Sequence, residues 1–205
     1  MSPQTRIADL LARYPALASC VPEITAAYQS LHDSFRSGGK VLLCGNGGSA
    51  ADADHWAGEL LKGFRHLRPL SSSDRRGLPR SIGGKLQRAL PAIPLTSFPA
   101  LATAFGNDVE PDLVFAQLTF ALGRPGDVLV ALSTSGNSVN VCHALETARA
   151  RGLVTIGLTG AGGGKLLSLC DTCIRVPAKE THVVQEFHLP IYHCLSLMLE
   201  DAFFG

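Results

Sequence analysis

The chain contains little charge and few aromatic residues. Charged residues account for 17% of its 205 residues and aromatic residues for 6%, and eighteen Lys and Arg against seventeen Asp and Glu leave a net charge of +1. Without an excess of positive charge, no broad electrostatic field is available to hold a nucleic-acid backbone or an anionic membrane surface. We therefore expect no nucleic-acid or membrane partner and predict that the ligand is a small molecule.

Targeting and membrane-spanning segments are also missing from the sequence. The first residues, Met1 to Arg6, lack a basic start followed by an apolar core. No run reaches the roughly 18 apolar residues that a spanning helix needs. These absences predict a cytoplasmic protein.

The six cysteines are scattered through apolar segments, which is typical of reduced core thiols rather than of a disulfide framework. Only Cys170 and Cys173 have the CxxC spacing of a redox or metal pair, and this motif alone is a weak signal. Because it adjoins a strand-like segment, we expect both thiols to have an ordinary packing role. The other cysteines are Cys20, Cys44, Cys142 and Cys194.

The sequence does contain an apolar pattern that alternates between strands and helices. Apolar residues make up 46% of the chain, enough for one sizeable core, so we predict a single domain over residues 1–205. Helical spacing within residues 1–38 predicts N-terminal helices, and a last helix is predicted from about Thr181 to Phe203. Continuous apolar strands between helices favour the α/β class, with a parallel sheet covered on both faces. The strand candidates are Lys40–Cys44, Ala92–Leu95, Asp127–Leu132, Val154–Leu158 and Cys173–Val176.

One segment does not follow this pattern. Residues 68–90 are rich in Ser, Gly, Pro and Arg and offer few apolar side chains to a core. Long loops without secondary structure are uncommon in compact domains and usually serve as functional covers or mobile segments. We therefore predict an inserted surface loop over these residues.

Two polar loops follow the first and third predicted strands. Gly45–Ser49 reads GNGGS and Ser133–Ser138 reads STSGNS, and a predicted helix begins after each. Glycines let backbone N–H groups approach a ligand closely, and a helix N-terminus favours an anion. In a sheet of order 2-1-3-4-5, ligands bind where the order reverses, between strands one and three. The first loop lacks the GxGxxG and GxxxxGK[ST] spacings of NAD and ATP sites, so the pair predicts a sugar phosphate.

Four polar residues on two predicted helices are candidates for chemistry. His55 and Glu59 are four residues apart and share a helix face, while Gln185 and His193 are eight apart on the last helix. Two imidazoles, a carboxylate and an amide could bind a divalent metal, or a carboxylate and an imidazole could form an acid/base pair. The spacing alone leaves both alternatives open. Solvated or capping positions are expected for the remaining candidates His143, His182 and His188.

At these residues the sequence resembles the phosphoheptose isomerase family of the SIS (sugar isomerase) superfamily. The matching segments span most of the chain in the family's order, which makes a chance similarity improbable. They are GNGGSAADADHWAGEL at 45–60, FGND at 105–108, GDVLVALSTSGNSVNV at 126–141, IGLTGAGGGKL at 156–166 and VQEFHLPIYH at 184–193.

The resemblance implies the SIS fold and the interconversion of sedoheptulose 7-phosphate and D-glycero-D-manno-heptose 7-phosphate. It also implies a homotetramer whose sites form between subunits and hold zinc, with Glu59 as the base and His193 as its acid partner. The implied metal ligands are His55, Glu59, Gln185 and His193. The implied substrate contacts are Asn46, Gly47, Gly48, Ser49, Glu59, Asn107, Asp108, Ser133, Thr134, Ser135, Ser138 and Gln185, with Ser133–Ser138 taking the phosphate.

The chain departs from the family where many members have an arginine four residues beyond the glutamate. Gly63 occupies that position here, with Lys62 and Arg65 beside it. The alternative function is that of a non-catalytic SIS protein that binds a sugar phosphate or a partner protein such as a replication initiator. Because Glu59 and His193 are both present, we favour an enzyme.

Overall fold

The computed structural model describes all of residues 1–205 and confirms the α/β class. Helices cover both faces of one parallel sheet. The helices are α1 (Pro3–Arg13), α2 (Val21–Arg36), α3 (Gly48–Leu61), α4 (Arg80–Gly83), α5 (Pro99–Asp108), α6 (Val114–Leu122), α7 (Val139–Ala150), α8 (Leu166–Leu169) and α9 (Thr181–Phe204), with short 3₁₀ turns at Pro15–Cys20 and Pro111–Leu113. The strands are β1 (Val41–Gly45), β2 (Ala92–Pro94), β3 (Val128–Leu132), β4 (Val154–Thr159) and β5 (Thr172–Arg175).

The sheet has the predicted order β2-β1-β3-β4-β5. Gly45, the last residue of β1, is level with Leu132, the last residue of β3, so the two polar loops start side by side at the carboxyl edge. Neighbouring residues of a strand point to opposite faces. Leu43 therefore packs into the core beneath α2, α3 and α9, while Leu42 packs into the core beneath α6 and α7.

The last helix, α9, supplies the longest buried stripe of the larger core. It begins at Thr181, as predicted, and continues through Pro190 without interruption. Its buried residues include Tyr192 and Leu195, which are fully covered by the helices on the same face of the sheet. None of the helices combines the length and the apolar character needed to cross a membrane.

Helix α3 packs along α9, and the two run in the same direction. Gly48 faces Gln185, and seven residues later on each helix His55 contacts Tyr192. The indole of Trp56 stacks on the ring of Tyr192, with centroids 5.6 Å apart and an interplanar angle of 18°. Since both rings are fully buried, this stack holds the register between the helices.

All six cysteines are free thiols. Cys170 and Cys173 are half-buried, with their sulfur atoms over Gly157. Burial raises the pKa of Cys173 to about 11 and raises that of Cys170 as well. A thiol that stays protonated is a poor nucleophile and a poor metal ligand, which agrees with the predicted packing role.

Residues 68–90 differ from the predicted surface loop at both ends. Arg68 is only 1% exposed and Leu90 only 3%, although most of the residues between them are exposed. An arginine in a polar segment gives no sequence signal for burial. Its partners are distant in sequence, so only the tertiary structure reveals its position.

Arg68 is buried because its guanidinium group is fully engaged. It donates to the carboxylate of Glu200 on α9 at 2.8 Å. It also donates to the backbone carbonyls of Leu60 at 2.8 Å and of Glu59 at 3.3 Å, the last turn of α3. The first residue of the inserted segment thus caps the helix that carries Glu59.

The carboxylate of Glu200 accepts hydrogen bonds from the turn that follows α3. Its two carboxylate oxygens accept hydrogen bonds from the backbone N–H groups of Phe64, Arg65 and His66, at 2.8 to 3.1 Å. Burial by itself would raise the pKa of Glu200, but these three bonds and Arg68 outweigh it and hold the pKa below its usual range. The carboxylate is therefore charged and fully paired in the folded chain.

Replacing Arg68 with Leu should lower the free energy of unfolding by about 3–5 kcal/mol, because Glu200 would keep a buried charge without its cation. Urea unfolding followed by circular dichroism measures this. Arg75→Leu, an exposed position of the same segment, is the matched control and should change stability by less than about 0.5 kcal/mol. Equal unfolding midpoints for the two variants would contradict the role assigned to Arg68.

Candidate active site

The two polar loops line one cavity of about 290 Å³ at the carboxyl edge of the sheet. Asn46 and Asn140 exchange amide hydrogen bonds of 2.9 and 3.0 Å, which tie the first loop to the start of α7. The hydroxyl oxygens of Ser133 and Ser138 lie 2.9 Å apart within the second loop. The lining residues are Asn46, Gly47, Gly48, Ser49, Leu132, Ser133, Thr134, Ser138, Thr181 and Gln185.

Glycines allow each of these loops to approach a neighbouring segment of the chain closely. A Cβ at Gly48 would lie 2.6 Å from the amide of Gln185. Gly136 has a φ of +69°, and a Cβ there would overlap the carbonyl oxygen of Gly163. Helices α3 and α7 both begin at this cavity, so their N-terminal N–H groups create a partial positive charge that favours an anion.

Besides Glu59, three predicted substrate contacts do not line this cavity. Asn107 and Asp108 lie at the end of α5, where the amide of Asn107 donates to the Asp108 carboxylate at 2.9 Å, and both are exposed. Ser135 is at the exposed tip of its loop, where its hydroxyl accepts from the N–H of Asn137. Within one chain these side chains are separate from the other candidates.

A second group of candidates meets two turns further along α3. His55 and Glu59 on α3 and His193 on α9 each offer a ligand atom within 4.8 Å of the other two. His55 Nε2 lies 3.1 Å from Glu59 Oε1, and the rings of His55 and His193 are 5.1 Å apart. We call these three residues the His-Glu-His cluster.

The His-Glu-His cluster leaves polar atoms without protein partners. Glu59 Oε2 and His193 Nε2 are closed to solvent and form no hydrogen bond. Burial lowers the pKa of His193, and the neighbouring His55 lowers it further, so its ring is neutral and retains a lone pair at neutral pH. Unpaired imidazole nitrogen and carboxylate oxygen atoms fit a divalent cation such as zinc.

Gln185 is not part of this cluster in the same chain. Eight residues separate it from His193, a rise of about 12 Å along a helix, and its amide lies against Gly48 in the loop cavity. Within one chain, Gln185 therefore does not join His55, Glu59 and His193, and the four-ligand set stays a prediction. Side chains eight apart share a stripe but not a ligand sphere.

Comparisons with known proteins identify the family of the chain. The SIS domain family model matches residues 7–75 and 78–160. The phosphoheptose isomerase of Rhodospirillum rubrum is 48% identical to this chain over 91% of it and 89% of the relative. The phosphoheptose isomerase of Akkermansia muciniphila is 36% identical, over 98% and 97% of the two chains. The chain belongs to the phosphoheptose isomerases of the SIS domain family.

Solved structures of phosphoheptose isomerases have the same architecture. The structure from Francisella tularensis is 31% identical, with a TM-score of 0.78 over 98% of this chain and 100% of that one. The structure from Neisseria gonorrhoeae is 34% identical, with a TM-score of 0.77 over 97% and 96% of the chains. As a phosphoheptose isomerase family member, the chain is an enzyme of the sugar-phosphate isomerase class, which disfavours the non-catalytic alternative.

The departure from the family pattern at position 63 has a structural reason. A side chain at Gly63 would collide with the carbonyl of His66, in the turn whose N–H groups bind Glu200. Lys62 is the cation nearest the cluster, with Nζ 3.8 Å from Glu59 Oε2. Arg65 instead points into a cavity beside α1.

Two residues beside the cluster were not among the predicted site residues. Tyr192 precedes His193 and its hydroxyl reaches His55, while Asp52 lies three residues before His55 on the same face of α3. The i−3 spacing of Asp52 was the available signal.

The prediction of a solvated or capping position for His188 is wrong, because its ring is fully buried and burial lowers its pKa to about 4.

Replacing Gly136 with Ala should destabilise the protein by roughly 1–3 kcal/mol, because a left-handed alanine is strained and its Cβ would meet the backbone of Gly163. Thermal or urea unfolding measures the loss. Gly162→Ala is the control, since its added Cβ would meet no atom within 4 Å. If both variants unfold like the parent, the close approach of Gly136 to Gly163 is not required.

Proposed function

We propose that this enzyme interconverts sedoheptulose 7-phosphate and D-glycero-D-manno-heptose 7-phosphate. The phosphate is held by the cavity between the two loops, where Ser133, Thr134 and Ser138 offer hydroxyls and two helices begin. Asn46 and Gln185 contact the sugar hydroxyls. The named activity of relatives that align over most of the chain supports the choice of a heptose.

The observation that carries the proposal is the pair of unpartnered atoms, Glu59 Oε2 and His193 Nε2, in one half-buried cluster. Moving a carbonyl from C2 to C1 requires a proton to leave C1 and a proton to reach C2, while another proton moves from O1 to O2. The sugar neither gains nor loses atoms. A carboxylate and an imidazole at this separation suit the two kinds of transfer.

In this proposal Glu59 removes and returns the carbon-bound proton through the enediol. His193 moves the proton between the two oxygens, since a neutral imidazole can accept at one nitrogen and donate at the other. The exposed Lys62, with Nζ 3.8 Å from Glu59 Oε2, is the cation that faces this carboxylate. The low exposure of Glu59, 14%, limits competition from water.

We also propose that the His-Glu-His cluster holds a zinc ion. His55 Nε2, Glu59 and His193 Nε2 would be its ligands, and the donor set of two imidazoles and a carboxylate is one that zinc accepts. Because a carboxylate or an imidazole held on the ion is a weaker base, Glu59 and His193 would act in proton transfer only when they are not bound to it. A bound zinc ion supplies a positive charge that polarises the sugar oxygens and stabilises an enediolate without redox chemistry.

The fourth predicted ligand, Gln185, points to a site shared between copies. It cannot join His193 of its own chain, because about 12 Å of helix separates them and its amide lies beside Gly48. If the loop cavity of a second copy faces the His-Glu-His cluster, Gln185 and the phosphate-binding loops of that copy lie beside Glu59. This supports the proposed homotetramer with intersubunit sites.

Glu59→Gln and His193→Ala should each lower kcat by at least about 100-fold, because each removes a proton-transfer group. The assay follows aldose formation with a panel of five- to seven-carbon ketose phosphates. Size-exclusion chromatography checks that assembly is unchanged, and replacement of His143, a partly exposed histidine on α7, by Ala should retain parental activity. Full activity in either cluster variant contradicts the assigned roles.

Mixed oligomers test whether the site spans two copies. Glu59→Gln and Gln185→Ala chains, each inactive alone, are refolded together, and activity should return because some sites then combine an intact cluster with an intact loop cavity. Mixing Glu59→Gln with His193→Ala is the control and should restore nothing, because every cluster stays damaged. Recovery in neither mixture would place the whole site within one chain.

A further inference from the structure

Behind the His-Glu-His cluster lies a hydrogen-bonded chain that the proposed chemistry does not use. The hydroxyl of Tyr192 is 2.9 Å from His55 Nδ1 and 3.1 Å from Asp52 Oδ1. Tyr192 is fully buried, and its ring is held flat against Trp56. The other carboxylate oxygen, Asp52 Oδ2, is closed to solvent and has no partner.

With the Asp52 carboxylate ionised and the His55 ring neutral, the single proton of the phenol allows two arrangements. In the first, Tyr192 donates to Asp52, its oxygen accepts from His55 Nδ1–H, and His55 Nε2 carries a lone pair. In the second, Tyr192 donates to Nδ1, so the neutral ring carries its proton on Nε2. The second arrangement leaves the Asp52 carboxylate with no donor.

The first arrangement is favoured by the cost of leaving the half-buried carboxylate of Asp52 without a hydrogen bond. Tyr192 donates the hydrogen bond that the Asp52 side chain accepts. An ionised group that is removed from water without a hydrogen bond loses solvation energy that nothing replaces. The first arrangement also turns the lone pair of His55 Nε2 toward Glu59 and His193. A cation bound between these atoms would offset the repulsion between the lone pairs of His55 Nε2 and Glu59 Oε1, which lie 3.1 Å apart.

We propose that Asp52 and Tyr192 are positioning residues that fix the tautomer of His55, with the proton on Nδ1 and Nε2 free to bind a cation. The inference rests on the proposed function, because it assigns His55 as a ligand. Partners of this kind, which hold the second nitrogen of a ligand histidine, orient the ring and raise its basicity. The helix register set by Trp56 places them.

Two near-isosteric variants separate this role from simple packing. Tyr192→Phe keeps the ring stack and removes the hydroxyl, and we expect a loss of about 10–100-fold in cobalt(II) affinity, measured by visible absorption. Asp52→Asn should also weaken cobalt binding, because the amide of the new Asn side chain can donate to the hydroxyl of Tyr192. That hydroxyl would then donate to His55 Nδ1, as in the second arrangement. Tyr28→Phe, on α2 and without a side-chain hydrogen bond, is the control and should bind like the parent.

Nitrogen-15 NMR of the His55 ring in the metal-free protein gives a readout that packing alone would not change. We expect a larger fraction of the Nδ1–H tautomer in the parent and in Tyr28→Phe than in Asp52→Asn and Tyr192→Phe, where a proton on Nε2 can be donated to Glu59 Oε1 at 3.1 Å. The same tautomer in all four proteins overturns the inference. So does unchanged cobalt affinity in both site variants when the parent binds cobalt.

The two proposals fail in different ways. If the parent binds neither cobalt nor zinc and turns over no sugar phosphate, the proposed function is wrong, and the tautomer measurement alone then decides the role of Asp52 and Tyr192. If the parent is active and binds metal but the tautomer is insensitive to Asp52→Asn and Tyr192→Phe, only the positioning inference is wrong.

Discussion

The stacking of Trp56 on Tyr192 sets the register in which α3 runs beside α9, and the arrangement of the candidate site depends on that register. One residue before the stack on α3 lies His55, and one residue after it on α9 lies His193. A shift of one residue between the helices would rotate each of these side chains by about 100° away from the other. The apolar contact thus positions the polar groups, and it contributes through burial of two large rings rather than through any charge.

The far end of α3 is held by charge instead. The buried carboxylate of Glu200 gathers three backbone N–H groups of the turn after α3, and Arg68 joins this carboxylate to the last carbonyls of the helix. Both partners are fully covered, so the arrangement is stable only while every donor and acceptor is satisfied. The exposed remainder of residues 68–90 can therefore vary without disturbing Glu59, because its first residue is anchored.

The chain separates two tasks along these paired helices. The loop cavity, at the beginning of α3 and α9, presents glycine backbone, hydroxyls and helix N-termini, which suit a phosphate. The His-Glu-His cluster, two turns further on, presents unpaired imidazole and carboxylate atoms, which suit proton transfer or a cation. Because Gln185 sits with the first group and His193 with the second, the proposed four-ligand site needs two copies of the chain.

The sequence by itself determined the α/β class and the position of the GNGGS and STSGNS loops after the first and third strands, because these follow from local periodicity. That the two loops meet follows from the edge at which parallel strands end, given the order 2-1-3-4-5 expected of a doubly wound sheet. Spacing also predicted that His55 and Glu59 share a face, since four residues make about one turn. Only the tertiary structure decided that His193 joins them while Gln185 does not, that Arg68 is buried, and that Asp52 and Tyr192 stand behind His55. These outcomes depend on contacts between residues more than 130 positions apart, and no local pattern records which side chain will meet which across that distance.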